Sequence, residues 1–182
     1  MMQVKRVGLA AMGVFLLAGV GLGRQAYAVQ TDAQLIADCG HTIALYRQKD
    51  PGIDEFFARS VAYVVFPSVG KGGLGIGAAH GTGILFERGA PVGKVTMSQV
   101  SIGAQAGGQE FSQIVFYQTE DRVAELKGGK AQLAGNLSAV ALSQGASATA
   151  KFKNGVAVFT ATKGGLMFEA SVGGQKFSYA AF

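Results

Sequence analysis

Gly70-Lys71-Gly72-Gly73-Leu74-Gly75-Ile76-Gly77-Ala78 offers the most obvious chemistry in the chain, because a glycine-rich loop bearing a lysine can cradle a phosphate. It does not fit a P-loop. Gly72 follows Lys71 where a Ser or Thr hydroxyl would have to meet a magnesium ion. Gly73-x-Gly75-x-x-Ala78 matches the loose dinucleotide pattern, yet its residues alternate as a strand does. No helix opens at the third small residue, and no acidic residue stands near positions 95–98 to hold a ribose. The glycines read as structural, and no nucleotide is expected. His41 and His80 are the only histidines and Cys39 the only cysteine. A metal site needs three or four converging ligands, so each histidine reads as a core or rim residue and Cys39 as a small buried hydrophobe. There is no Gly-x-Ser-x-Gly elbow, and Glu55, Glu87 and Glu110 fall on separate elements with nothing to pair two of them as acid and base. The expectation is a protein that is not an enzyme and carries no cofactor or metal.

The composition agrees with a packed domain. Of 182 residues 28 are glycine and only 15% are charged, against a usual share of about 25%. Low charge of this kind does not sustain disorder, and one cysteine allows no internal disulfide. The formal charge of +5 depends on the N-terminus. Lys5 and Arg6, the apolar run Val7 to Leu22 and the small-x-small triplet Ala26-Tyr27-Ala28 have the form of a secretory signal over residues 1–28. Without that segment 13 basic residues face 11 acidic ones, and no nucleic-acid partner is expected. Cys39 lies too far past Ala28, and follows Asp38, so it does not read as a lipidation site. The expected location is periplasmic or secreted, peripheral to a membrane.

The elements that would carry a site divide by period. Thr31-Asp32-Ala33-Gln34 is a capping box, and Leu35, Ile36, Cys39, Ile43 and Tyr46 then recur at helical steps. Asp50-Pro51-Gly52 ends that helix, and Ile53, Phe56 and Phe57 line a short second one. After Ser60 the chain reads as strands. Val61 to Phe66 is an unbroken apolar run closed by Pro67. From Leu74 the bulky residues, through Ile84 and Phe86, take even positions while glycine and alanine take odd ones, so something has to approach the bare face closely. Arg88-Gly89-Ala90-Pro91 turns the chain into a polar strand over 92–107, and Phe111 to Tyr117 is another apolar strand. A short helix follows near 119–127, then strands joined by turns at Asn154-Gly155, Lys163-Gly164-Gly165 and Gly173-Gly174. The fold class is α+β: two N-terminal helices, residues 29–60, and then a mainly antiparallel, Gly-rich sandwich or barrel-like body over 61–182, all in one domain.

Charge is uneven along this body. Residues 29–126 hold seven basic and ten acidic side chains, whereas 127–182 hold six basic and one acidic. Lys151 and Lys153 precede the Asn154-Gly155 turn and Lys176 follows Gly173-Gly174. In a meander these turns share one end of the sheet. The three lysines are therefore expected on one rim beside exposed Phe152 and Phe177, which suits an anionic lipid headgroup. Edge lysines that only keep strands unpaired are the plainer reading.

The segment Val61-Ala62-Tyr63-Val64-Val65-Phe66-Pro67-Ser68-Val69-Gly70-Lys71-Gly72-Gly73-Leu74-Gly75-Ile76-Gly77 resembles the start of the SYLF domain. The likeness continues through Gly81-Thr82-Gly83-Ile84-Leu85 and Ser101-Ile102-Gly103-Ala104-Gln105-Ala106-Gly107, and again at Gly164-Gly165-Leu166-Met167. It implies a stand-alone lipid-binding module, without catalysis, over roughly residues 31–182. By that resemblance the helix bearing Leu35, Ile36, Ile43 and Tyr46 would contact a membrane, with Lys71 in the family's Lys-Gly position. Actin, which some members bundle, is not expected for an exported chain. Arg47 is the basic residue near the end of this helix, with His41 midway, which makes a weak polybasic anchor. A small outer-membrane β-barrel is the alternative, on the export signal, the alternating Gly-rich strands and the terminal Phe182. Against it, Phe177 and Tyr179 fall out of phase with Phe182. A structural envelope protein or adhesion partner is a third reading.

Overall fold

A computed structural model describes residues 30–133, 137, 139–164 and 174–182. The signal-like segment, the Gly165-Leu166-Met167 motif and Gly173 lie outside the described residues. The architecture is α+β, with a mostly antiparallel sheet of five strands among the described residues.

Helix α1 spans Asp32–Lys49. Its capping box is formed: Thr31 Oγ1 accepts from the Gln34 amide at 3.3 Å, and Gln34 Oε1 accepts from the Thr31 amide at 3.0 Å. Leu35, Cys39, Thr42 and Tyr46 are buried along one stripe. Asp50 stops the helix, a short 3-10 turn over Pro51–Ile53 follows, and α2 covers Asp54–Arg59. Both helices cover one face of the sheet. Their side chains join Val65, Ile84, Phe86, Ile114, Phe116 and Phe159 in an apolar cluster. Phe56 anchors it, with ring centroids 5.8 Å from Phe116, 4.8 Å from Phe159 and 5.2 Å from Phe152. Each such fully buried ring contributes about 1.5–3 kcal/mol.

The sheet is built on one long hairpin. Strand β1 runs Ala62–Glu87 and β2 runs Ala90–Tyr117, paired antiparallel from Ala62↔Tyr117 to Glu87↔Ala90. Arg88 and Gly89 close it with positive φ angles of 51° and 82°, as a two-residue hairpin turn requires. Pro67 does not end a strand, nor is the 92–107 stretch separate from 111–117. The proline lacks an N–H, so the ladder skips it: partners pass from Phe66↔Gln113 to Val69↔Phe111 across a bulge. That bulge shifts the phase by one, so Phe66 and Val69 both face the second apolar cluster.

Close approach to the bare glycine face is supplied by the same strand. A Cβ at Gly81 would stand 2.8 Å from Val69 Cγ2 and 3.0 Å from the Ser68 carbonyl oxygen. One at Gly83 would collide with the Val65 carbonyl and lie 2.8 Å from Phe66 Cδ1. The two halves of β1 therefore cross in direct contact, and the hairpin doubles over. Helix α3, Glu120–Lys127, packs Val123 and Leu126 into the second cluster.

Among the described residues the last strands do not form a meander. Strand β3, Val140–Ala141, lies parallel to β4, Val156–Gly164, while β5 is Lys176–Ala181. Strands β4 and β5 both pair with β2 on the edge away from β1. β4 takes Glu110 to Tyr117 and β5 takes Gly93 to Ser98.

Candidate functional site

The residues expected to meet lipid are distributed by this topology. Leu35 and Tyr46 are buried, and Ile36 and Ile43 are half-buried against the helix-side cluster. The apolar stripe of α1 is thus spent on the sheet, where the Tyr46 hydroxyl donates to the Ser112 carbonyl at 2.8 Å. Phe177 is not exposed. It sits opposite Met97 on the inner face and packs on Phe66 at 6.0 Å between centroids. Phe152 is half-buried on Phe56, with the Arg59 guanidinium 5.4 Å from its ring centre.

The three-lysine rim is not assembled. Lys151 and Lys153 are exposed on either side of Phe152, beside the turn where Asn154 and Gly155 take positive φ. Lys176 is exposed in register with Ser98 and in a bridge with Gln132. Among the described residues β4 and β5 occupy different stretches of β2 and are not paired with each other, so these lysines do not share one end of the sheet. Lys71 is half-buried, in register with Gln109 and one position beyond Gly70.

What the structure does bring together is a continuous outer face on the second half of β1. Its even positions run from Phe86 and Ile84, beneath the helices, through half-buried Thr82 to exposed His80, Ala78 and Ile76. Directly paired residues of an antiparallel ladder point to the same face. His80, Ser98 and Lys176 form one cross-strand row, and Ala78 and Val100 form the next. Ile76 is 65% exposed and Val100 72%, large apolar side chains with nothing over them among the described residues. They make a ledge at the bend of the hairpin. From residue 71 to 86, and from 91 to 109, the charged side chains are Lys71 and Lys94, with no carboxylate in either stretch.

Where this face passes under α1 it forms one wall of a groove of about 550 Å³. Leu35, Asp38, His41, Thr42 and Leu45 line the helix side; Pro67, Ser68, His80, Thr82 and Lys163 line the sheet side. Both histidines of the chain therefore line the same groove. Ser68 Oγ donates to Glu110 at 2.7 Å, and Lys163 Nζ lies 3.6 Å from the same carboxylate. Gln30 Nε2 donates to Asp38 at 2.7 Å.

Sequence reasoning passed over the exposure of Ile76 and Val100 and the placing of His41 and His80 on one groove. The available signal was the long stretch of strand free of carboxylates, whose even face holds more bulk than two helices of this length can cover. Cys39 is buried, donates to the Val65 carbonyl at 3.3 Å, and its thiol is pushed up to about 12, chiefly by burial. It is therefore no nucleophile at neutral pH. Among the described residues no three His, Cys, Asp or Glu side chains come together as metal donors, and no helix is long and apolar enough to cross a membrane. No family model matches the chain, and no curated protein is matched by it.

Proposed function

We propose that the protein is an exported, SYLF-like module that binds phospholipid at an anionic membrane surface without catalysing a reaction. The observation that carries this reading is the exposed pair Ile76 and Val100, standing on the same sheet face as His80 and Lys176, in strand stretches, 71–86 and 91–109, that hold no carboxylate. Apolar side chains of this kind enter the acyl boundary, while a lysine beside them is attracted to lipid phosphate by about 1 kcal/mol. Lys71 and the pair Lys151 and Lys153 add positive charge from other parts of the surface. The doubled hairpin serves as a rigid, barrel-like body that presents the ledge.

Co-sedimentation with vesicles tests the reading. The protein is expected to be retained on phosphatidylglycerol–phosphatidylcholine vesicles, to bind phosphatidylcholine alone more weakly, and to be released by salt that screens the lysine attraction. Equal retention on both vesicles, or none, rejects it. A chain that stays dispersed only in detergent favours the outer-membrane barrel instead.

A further inference from the structure

The groove beneath α1 carries charges of both signs, which the ledge does not. Asp38 and His41 lie on its helix wall and His80 and Lys163 on its sheet wall. A ligand bearing a single charge of either sign would meet a like charge here. One bearing both would meet each with its opposite. Lys163 has three N–H donors, and among the described residues its carboxylate neighbour is Glu110, held loosely at 3.6 Å. An imidazole offers at least one N–H donor in either protonation state. Leu35, Leu45 and Pro67 supply the apolar part of the lining. His80 belongs both to the groove and to the row containing Lys176, so the groove opens onto the ledge.

We propose that this groove holds the zwitterionic headgroup of an amine-bearing phospholipid, with Lys163, His41 and His80 taking the phosphate and Asp38 taking the ammonium. The inference rests on the lipid-surface reading above and names the lipid headgroup that the groove itself takes, apart from the attraction of the ledge to an anionic surface. The shared chemistry is a phosphate ester carrying a primary amine, whether in a lipid or free.

The test is a titration followed by amide NMR shifts. The full chain is titrated with dihexanoyl phosphatidylethanolamine, dihexanoyl phosphatidylglycerol and O-phosphoethanolamine, each below any micelle concentration. The ethanolamine lipid is expected to shift His41, Thr42, His80 and Gly81, and to bind roughly tenfold tighter than the glycerol lipid, as one favourable charge contact supplies. Asp38→Asn is expected to erase most of that preference, and Lys163→Gln to weaken both lipids. Free O-phosphoethanolamine binding as tightly as the lipid assigns the site to a soluble ester; weaker binding assigns it to the lipid. Equal affinity for the two lipids, an unchanged preference in Asp38→Asn, or shifts confined to other surfaces overturns the proposal. Retention on phosphatidylglycerol vesicles without groove shifts defeats this inference and leaves the surface reading intact. Groove shifts without vesicle retention do the reverse.

Discussion

Gln113 on β2 and Gln175, just before β5, form a reciprocal amide pair inside the bend of the hairpin. Gln113 Nε2 donates to Gln175 Oε1 at 2.8 Å and Gln175 Nε2 donates to Gln113 Oε1 at 3.1 Å, both residues being fully buried. Gln175 Nε2 also reaches Gln99 Oε1 at 3.4 Å, so one side chain ties β5 to two distant stretches of β2. A buried amide left without its partner costs about 1–3 kcal/mol. Gln175→Leu is expected to lower the unfolding free energy by that amount, read as a lower urea midpoint at an unchanged slope. Adding Gln113→Leu should return part of the loss, because neither amide is then stranded. Strict additivity in the double variant would show that the pair is not coupled.

Two glycines separate close approach from mere permissiveness. Gly83 has the Val65 carbonyl and the Phe66 ring where a Cβ would go, whereas nothing lies within 4 Å of that position at Gly40 on α1. Gly83→Ala forces the crossing halves of β1 apart, and overpacking of this kind costs about 1–3 kcal/mol. Gly40→Ala exchanges the poorest ordinary helix former for the best, a gain of about 0.8–1 kcal/mol. Thermal melts of the two variants should move in opposite directions.

The local features were legible because their causes are local. Thr31 and Gln34 specify the start of α1, Asp50-Pro51 its end, and Asn154-Gly155 the turn before β4, where φ is 52° and 75°. The bare face at Gly81 and Gly83 announced a close neighbour. Its identity, the Val65 to Val69 half of the same strand, depends on a bend with no residue-level signature. Pro67 was a misleading stop, since a bulge absorbs its missing donor and the strand goes on. The lysine rim was lost for a topological reason: turn spacing fixes where strands end, not which strand each one pairs with. The ledge and the groove are likewise products of pairing. Ile76 and Val100 are far apart in the chain and adjacent only in the Ala78↔Val100 register.

Asp50 gives the fold an acid limit. Its carboxylate is buried, accepting from the Ser147 amide at 2.6 Å and the Gly52 amide at 3.2 Å. Burial alone would raise its pKa, but these donors, with the Ser147 hydroxyl and the Gly145 amide, outweigh it and hold the group below its ordinary 3.8. A depressed folded pKa means stability that is complete above the unfolded value and is lost as pH falls through the folded one. Urea unfolding from pH 6 to pH 2 should show a fall in stability below about pH 4 that is shallower in Asp50→Asn. The variant should be the less stable protein at pH 6. Identical slopes for the two proteins would remove Asp50 from this role.

Cys39 reports on the seating of α1. Its sulfur is fully buried against the Val65 carbonyl, and its thiol is pushed up to about 12. Since the thiolate is the reactive form, iodoacetamide at pH 8 is expected to leave the native protein unmodified for hours and to alkylate it rapidly in urea. Labelling in native buffer at the rate seen in urea would mean that the helix lifts from the sheet far more often than its packing allows. It would also expose the Leu35 and Tyr46 stripe that the folded form keeps inside.

The ledge and its lysine separate into an apolar and an electrostatic share of membrane affinity. Ile76 and Val100 are mostly solvent-exposed, so replacing both with serine removes little packing and should leave the melting temperature within a degree or two. Their transfer into the acyl boundary is lost, and with up to about 1.5–3 kcal/mol for each fully buried side chain, vesicle retention should fall at least tenfold. Lys176→Gln acts differently. It should cut retention about fivefold at low salt, corresponding to about 1 kcal/mol, and hardly at all where salt already screens the charge. Retention that survives Ile76→Ser with Val100→Ser, yet collapses when Lys151 and Lys153 are neutralised, would move the membrane contact to the Phe152 turn.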